Sequence, residues 1–185
     1  MNIFALLLAL VAVVIILVAI IRQVNQYEKG VFFTLGKFTS IKEPGWRVVI
    51  PIFQSLKKVD TRVKAVDVPE QKAITKDNIS VGVNAVIYYR VVDVSKAILE
   101  VEDYIYAMSQ LAQTTMRNAV GEVELDDLLS QRDKISERIS NVVDHASEPW
   151  GIKVSTVELK DISLPADMER TIAKQAEAER EKRAV

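Results

Sequence analysis

The side chains best suited to catalysis in this 185-residue sequence are a single histidine and a cluster of carboxylates. His145 follows Asp144 near the end of a predicted amphipathic helix, with no recognisable nucleophile or orienting partner. We therefore interpret His145 as a surface residue near a helix C-terminus, where the dipole favours its charged form.

Glu122, Glu124, Asp126 and Asp127 form the carboxylate cluster. Paired carboxylates could bind a metal or perform acid–base work. Asp126 and Asp127, however, are expected to open a helix, where the dipole stabilises acidic residues. We favour this structural interpretation of the cluster.

Composition argues further against enzymatic chemistry. The chain has no cysteine and one histidine, which leaves no thiol nucleophile and little material for a transition-metal site. Neither a GxxxxGK[ST] nor a GxGxxG phosphate-binding pattern occurs. We expect no enzyme activity, no cofactor and no metal, with a membrane-anchored hydrolase as the weaker alternative. The net charge of -1 argues against nucleic acid as the main partner.

The N-terminus is predicted to anchor the chain in a membrane. Residues 3–21 are apolar throughout and contain no Gly or Pro. As a helix they would span roughly 28 Å, close to the thickness of the hydrocarbon core. A cleaved signal peptide is the alternative, but no positive residue precedes the stretch and no small-x-small site follows it. Arg22 and Lys29 follow the span, so the positive-inside rule places the bulk of the chain in the cytoplasm.

The region after the span is predicted to be rich in β-strands. The apolar runs predict strands at 30–38, 46–53, 56–60 and 63–68. A turn is expected at Pro44-Gly45, and Pro51 should end the second strand or place it at an edge. The clearest strand runs from Ile79 to Val92, because its odd positions are apolar, and a tight turn at Lys76–Asn78 precedes it.

The period then changes to that of helices. One apolar face extends from Ile105 to Val120 and another from Leu125 to Ala146, and Pro149–Gly151 is expected to stop the second helix. A strand at 152–159 returns to the sheet. This order predicts an α+β fold: an N-terminal transmembrane helix, a mostly antiparallel β lobe with packed helices, and a C-terminal extended charged helix.

The last segment, from Ala166 to Val185, alternates Glu with Lys and Arg and contains no Gly, Pro or aromatic residue. Its charges have helical i+3 and i+4 spacing, and such a helix would be stabilised by lying beside copies of itself. We expect this helix to continue beyond Val185 in the full protein. Its candidate contacts between copies are Arg170, Lys174, Glu177, Glu179, Arg180, Glu181 and Arg183.

Several blocks of sequence together resemble the stomatin–prohibitin–flotillin (SPFH, Band 7) superfamily, in particular the prokaryotic stomatin-like proteins (slipins). They are YEKGVFFTLGKF, PGWRVVIPIF, DVPEQKAITKDNISVGVNAVIYYRV, LDDLLSQRD, PWGIKV, LKDISLP and AKQAEAEREKRA. The resemblance implies an anchor at 1–22, a Band 7/SPFH domain at 23–164 and the start of a coiled-coil-like helix at 165–185. Unlike eukaryotic stomatins, the chain has no cysteine to palmitoylate and no proline before Pro44.

The resemblance also implies a function. It indicates a non-enzymatic scaffold in the cell membrane, whose copies assemble into a ring or cage and organise membrane microdomains. The family regulates membrane proteases or channels, and slipins are often paired with an NfeD-type membrane serine protease. A monomeric adaptor for such a protease is the alternative from the residues alone.

Five large apolar residues follow the span closely. If the β lobe dips into the bilayer interface, where aromatic residues are favoured, these side chains would contact lipid. They would otherwise be ordinary core residues, and periodicity does not separate the two interpretations. The candidates are Phe32, Phe33, Trp46, Ile50 and Phe53.

Overall fold

A computed structural model of the chain describes residues 20–165, together with Leu7, Leu10, Val11, Val18 and Met168. Most of the span predicted at 3–21, and the charged segment after Pro165, therefore lie outside the described residues. Within the described part of the chain, no helix is both long and apolar enough to cross a bilayer. Ile21, the last residue of the predicted span, already belongs to the first strand.

Five short strands form an N-terminal lobe. Strand β1 (Ile21–Val24) pairs antiparallel with β4 (Gly45–Val48) in a two-stranded ribbon. Strand β2 (Glu28–Thr34) lies between β3 (Lys37–Lys42) and β5 (Gln54–Asp60), antiparallel to both. The central strand is buried on both faces, since Val31 and Phe32 point to opposite sides and both are buried.

Two of the strand predictions in this lobe are wrong in extent. The single strand expected at 30–38 is a hairpin, because Leu35 and Gly36 adopt positive φ and reverse the chain. The strand expected at 46–53 ends at Val48. It stops short of Pro51, in agreement with the prediction that this proline ends the strand.

The main sheet has the order β6–β7–β8 and is antiparallel throughout. Its strands are β6 (Lys64–Ile74), β7 (Ser80–Val91) and β8 (Ile152–Ser163). The alternation predicted for β7 is confirmed, because its odd positions from Val81 to Val91 are all buried. Strand β6 runs longer than predicted, since the pairing shifts register between Val68 and Gln71 and so accommodates Pro69.

Four helices follow β7 and precede β8. They are α1 (Val94–Leu99), α2 (Tyr104–Gly121), α3 (Leu125–Ser130) and α4 (Arg132–Ser147). Helix α1 is an addition to the predicted helices, and Asp93 caps it by accepting hydrogen bonds from the backbone N–H groups of Ser95 and Lys96. The hydrogen bond from the Ser95 hydroxyl, together with these N–H groups, lowers the pKa of the Asp93 carboxyl. The helix predicted from Leu125 to Ala146 is broken at Gln131. Helix α2 ends at Gly121, and Gly151 in the left-handed conformation ends the 3-10 turn Glu148–Trp150, so the stop predicted at Pro149–Gly151 is confirmed.

Two polar clusters hold the lobes and the turn between β6 and β7 in place. The Arg62 guanidinium donates to both oxygens of Asp60 and lies 4.1 Å from the Tyr27 ring centroid, which ties the linker between lobes to β5. This guanidinium lowers the pKa of Asp60 well below its usual range. Asp77 accepts from the Thr75 hydroxyl and from the backbone N–H of Leu125, so the turn is held against the start of α3 and the pKa of Asp77 is lowered.

Candidate membrane-contact surface

The outer face of the β1–β4 ribbon is apolar. Trp46 and Val48 alternate along β4 and are 73% and 65% exposed, and Val48 lies opposite Ile21 in the register. The residue between them, Arg47, points to the other face, as Arg22 does in β1. A half-buried strand in water normally turns its apolar residues inward, so this ribbon presents the reverse pattern.

The loop that follows β4 continues this apolar surface. Ile52 is 86% exposed and Phe53 is 55% exposed, with Ile50 beside them. The N–H groups of Phe53 and Gln54 both donate to the Ile50 carbonyl, at 3.1 Å and 2.8 Å, and so hold the loop in a compact turn. The Val49 N–H donates to the carbonyl of Ile20 at 2.8 Å, which attaches the loop directly to the end of the predicted span.

The turn between β2 and β3 brings a third apolar segment to the same place. Leu35 is 75% exposed, and its N–H donates to the Phe53 carbonyl at 2.8 Å. Its φ is 51°, a left-handed conformation that costs a residue other than glycine about 1–3 kcal/mol. A strained turn that exposes a large apolar side chain is expected where that side chain has a function.

We call this surface the apolar face. Scattered exposed apolar residues are normal, but contiguous patches mark interaction sites. The apolar face lies in one lobe and is joined by backbone hydrogen bonds to the end of the predicted span. Its members are Ile21, Leu35, Trp46, Val48, Ile50, Ile52 and Phe53.

The residues proposed from sequence for lipid contact separate into two groups. Trp46, Ile50 and Phe53 lie on the apolar face. Phe32 is a correction, because it is only 6% exposed, and Phe33 is half-buried with its ring against Phe38. Phe32 is buried inside the lobe and Phe33 packs against the hydrophobic core, so neither is retained.

Sequence reasoning missed Leu35, Val48 and Ile52, which are among the most exposed members of the face. The alternation of Trp46 with Val48 was a usable signal, because it requires the two to share one side of a strand. Leu35 carried no such signal, since leucine is not a residue of left-handed turns. The candidate contacts of the tail, from Arg170 to Arg183, lie outside the described residues.

The residues considered for catalysis lie at the surface or take part in ion pairs and helix ends. The His145 side chain is 90% exposed, and its Nδ1 lies 3.8 Å from Glu148. Glu122 pairs with Arg138, and Glu124 lies 3.7 Å from the Lys76 ammonium. Asp126 and Asp127 occupy the first turn of α3, as predicted. Among the described residues no group of three His, Asp or Glu is placed to hold a metal ion.

Comparison with known proteins gives the same family as the sequence blocks. The SPFH domain / Band 7 family matches residues 22–185. A stomatin homologue of Pyrococcus abyssi is 49% identical over 99% of this chain and 68% of its own length, and one of Pyrococcus horikoshii is 48% identical over 99% and 69%. Mouse stomatin is 40% identical over 89% of this chain and 58% of its own length. The chain therefore belongs to the SPFH domain / Band 7 family, as a stomatin-like member.

Proposed function

We propose that this protein is a membrane-anchored scaffold whose N-terminal lobe rests in the bilayer interface. The span at 3–21 anchors the chain, with the bulk of it in the cytoplasm. Copies assemble side by side into a ring or cage through the charged helix after Pro165. The assembly organises membrane microdomains and regulates membrane proteases or channels, including an NfeD-type membrane serine protease.

The observation that carries this proposal is the apolar face. Transfer of one large apolar side chain out of water is favourable by about 1.5–3 kcal/mol, and several such side chains are exposed together here. Because Val49 is hydrogen-bonded to Ile20, the face begins where the predicted span ends. The anchor and the exposed apolar side chains together are sufficient to hold this lobe against the lipid.

The scaffold is proposed to be non-enzymatic. The carboxylates that could have served as acids or bases form ion pairs or lie in the first turn of helix α3. The His145 side chain is largely exposed and lies 3.8 Å from the carboxylate of Glu148. Neither arrangement supplies the buried pair of titratable groups that acid–base catalysis uses.

Lipid contact by the apolar face is tested with the two tryptophans of the chain. The Trp150→Phe variant retains Trp46 alone, and the Trp46→Phe variant retains Trp150 in the other lobe. We expect Trp46 emission in nanodiscs to shift to shorter wavelength and to be quenched several-fold by lipids brominated on their acyl chains. Trp150 emission should be unchanged by the same lipids.

Equal quenching of the two tryptophans would contradict a specific lipid contact by the apolar face. If Trp46 is not quenched although the chain stays with the nanodisc, the proposed anchor stands but the proposed contact of the N-terminal lobe with the bilayer interface is wrong. Both variants replace one aromatic side chain by another, so the fold is retained for the comparison.

Assembly through the tail is a separate prediction. Replacing Glu179 and Glu181 by Lys reverses two charges of the alternating series, so like charges meet where copies lie side by side. We expect a several-fold smaller particle mass by light scattering in mild detergent. A Glu100→Lys and Glu102→Lys variant makes the same charge change outside the tail and should keep the wild-type mass. An unchanged particle mass in the tail variant would show that the charged helix does not form the contact between copies. A monomeric wild-type protein would favour the alternative function as a monomeric adaptor.

A further inference from the structure

A cavity lies directly behind the apolar face. It has a volume of about 410 Å³ and opens between the inner side of the β1–β4 ribbon and strand β5. Val49, Pro51 and Leu56 form its apolar part, and polar side chains of β1 and β5 form the rest. The polar lining residues are Arg22, Gln54, Ser55 and Lys58.

Two cations converge on this cavity. Arg22 points to the inner side of the ribbon, because its neighbours Ile21 and Gln23 alternate to the outer side. None of the ion pairs formed among the described residues involves Arg22. The Lys58 ammonium donates to the Gln23 carbonyl, which holds it beside Arg22, and its nearest carboxylate oxygen, on Glu28, is 3.9 Å away.

The positive charge is a property of the whole lobe. Residues 21–60 contain seven Lys and Arg against three Asp and Glu, although the complete chain has a net charge of -1. Positive charge therefore concentrates in the lobe that carries the apolar face. Cations near a membrane are attracted to the negative potential of anionic lipids, an effect that falls off within about 10 Å at 0.1 M salt.

We propose that this cavity binds the phosphate headgroup of an anionic phospholipid. The inference rests on the proposed contact between the apolar face and the bilayer. When Ile50, Ile52 and Phe53 enter the interface, the cavity lies at the depth of the headgroups, because Arg22 follows the span directly. The Arg22 guanidinium can donate two parallel N–H bonds to phosphate oxygens, and Lys58 supplies a second positive charge.

The composition of the rim favours a lipid over a soluble anion. Pro51 lines the cavity and also belongs to the exposed loop of the apolar face. A phosphate held by Arg22 and Lys58 is therefore adjacent to apolar side chains that the acyl chains of the same molecule would cover. A free phosphate would gain only the polar half of this surface.

The test uses the full chain in nanodiscs, in the Trp150→Phe background, with Trp46 as the reporter. One preparation contains a minority of brominated phosphatidylglycerol in unbrominated phosphatidylcholine, and the other exchanges which lipid carries bromine. We expect brominated phosphatidylglycerol to quench Trp46 at least threefold more than its mole fraction predicts. The double variant Arg22→Gln, Lys58→Gln should lose this preference, so that the quenching of Trp46 matches the mole fraction of brominated phosphatidylglycerol.

The matched control is Lys37→Gln combined with Lys57→Gln. It removes the same charge from the same lobe, but Lys57 projects from the opposite face of β5 to Lys58 and neither residue lines the cavity. The control should retain the preference for phosphatidylglycerol. An equal loss in both double variants would show general charge attraction and overturn the site.

Two further outcomes separate this inference from the proposed function. If Trp46 is quenched by both lipids according to mole fraction, the lobe contacts the bilayer but the headgroup site is wrong. If neither lipid quenches Trp46, the proposed lipid contact itself fails. Added inorganic phosphate should leave the preference unchanged, and its loss at millimolar phosphate would assign the cavity to a soluble anion instead.

Discussion

Replacing Gly151 by Ala should lower the free energy of unfolding by about 2–5 kcal/mol, from left-handed strain and overpacking together. Gly151 has a φ of 69°, and an added Cβ would lie 2.4 Å from the Asp93 carbonyl oxygen and 2.8 Å from the Asp93 Cβ. Neither neighbour is the flexible end of a side chain. Thermal or denaturant unfolding of the full chain in mild detergent measures the effect.

The segment around Gly151 has little room to relax. The backbone N–H groups of Val92 and Asp93 both donate to the Gly151 carbonyl, at 2.9 Å and 3.0 Å. Asp93 is also the N-cap of α1, so moving it away would weaken that helix. The close approach joins the end of β7 to the start of β8, and a Cβ there disturbs both strands.

Gly36→Ala is the matched control for this substitution. Gly36 also has a positive φ, 79°, but an added Cβ would meet no atom within 4 Å. Its cost is limited to the left-handed conformation, about 1–2 kcal/mol. Equal destabilisation by the two variants would show that conformation alone, and not the contact with Asp93, makes glycine necessary at position 151.

The second large effect is expected in the apolar face. Replacing Ile52 and Phe53 by Asn removes two of its exposed side chains, each worth about 1.5–3 kcal/mol on transfer from water. A combined loss of about 3 kcal/mol corresponds to roughly a hundredfold change in the ratio of docked to undocked lobe. Quenching of Trp46 by brominated lipids should fall accordingly, while thermal stability in detergent changes little because both side chains already lie at the surface.

The control removes the same kind of surface from the other lobe. Ile74, the last residue of β6, is 59% exposed, and Val92, which follows β7, is 60% exposed. Their replacement by Asn should leave Trp46 quenching unchanged. Undiminished quenching in the Ile52 and Phe53 variant would mean that the loop does not reach the acyl chains.

The proposed membrane contact explains why the N-terminal lobe departs from the pattern of a water-soluble sheet. Trp46 and Val48 face outward while Arg47 points inward, which would be unfavourable for a ribbon surrounded by water. Leu35 holds a strained conformation and exposes its side chain beside Phe53. Exposure of these side chains becomes favourable in the interface of a bilayer, and that gain offsets the strain at Leu35.

Much of the second lobe could be predicted from sequence because its signals are local. The alternation from Ile79 to Val91 identifies a strand with one buried face, and the odd positions from Val81 to Val91 lie in the core with Ile79 packed against it. Asn78 tolerates the positive φ that it adopts in the turn before strand β7. The Pro149–Gly151 segment ends the helical region after α4, because proline cannot continue a helix and Gly151 adopts the left-handed conformation.

Family membership was also readable from sequence, since the blocks that resemble the family extend over most of the chain and the match at 22–185 agrees with them. Tertiary structure alone decided which apolar residues of the N-terminal lobe are core and which are surface. Phe32 and Trp46 are both aromatic, but the face of β2 that carries Phe32 is buried in the lobe and the face of β4 that carries Trp46 is exposed. The same applies to Arg22 and Lys58, which are 36 positions apart and line one cavity because the Lys58 side chain reaches the backbone of β1. Hydrophobic periodicity reports the medium on one side of an element, and it does not distinguish protein interior from lipid.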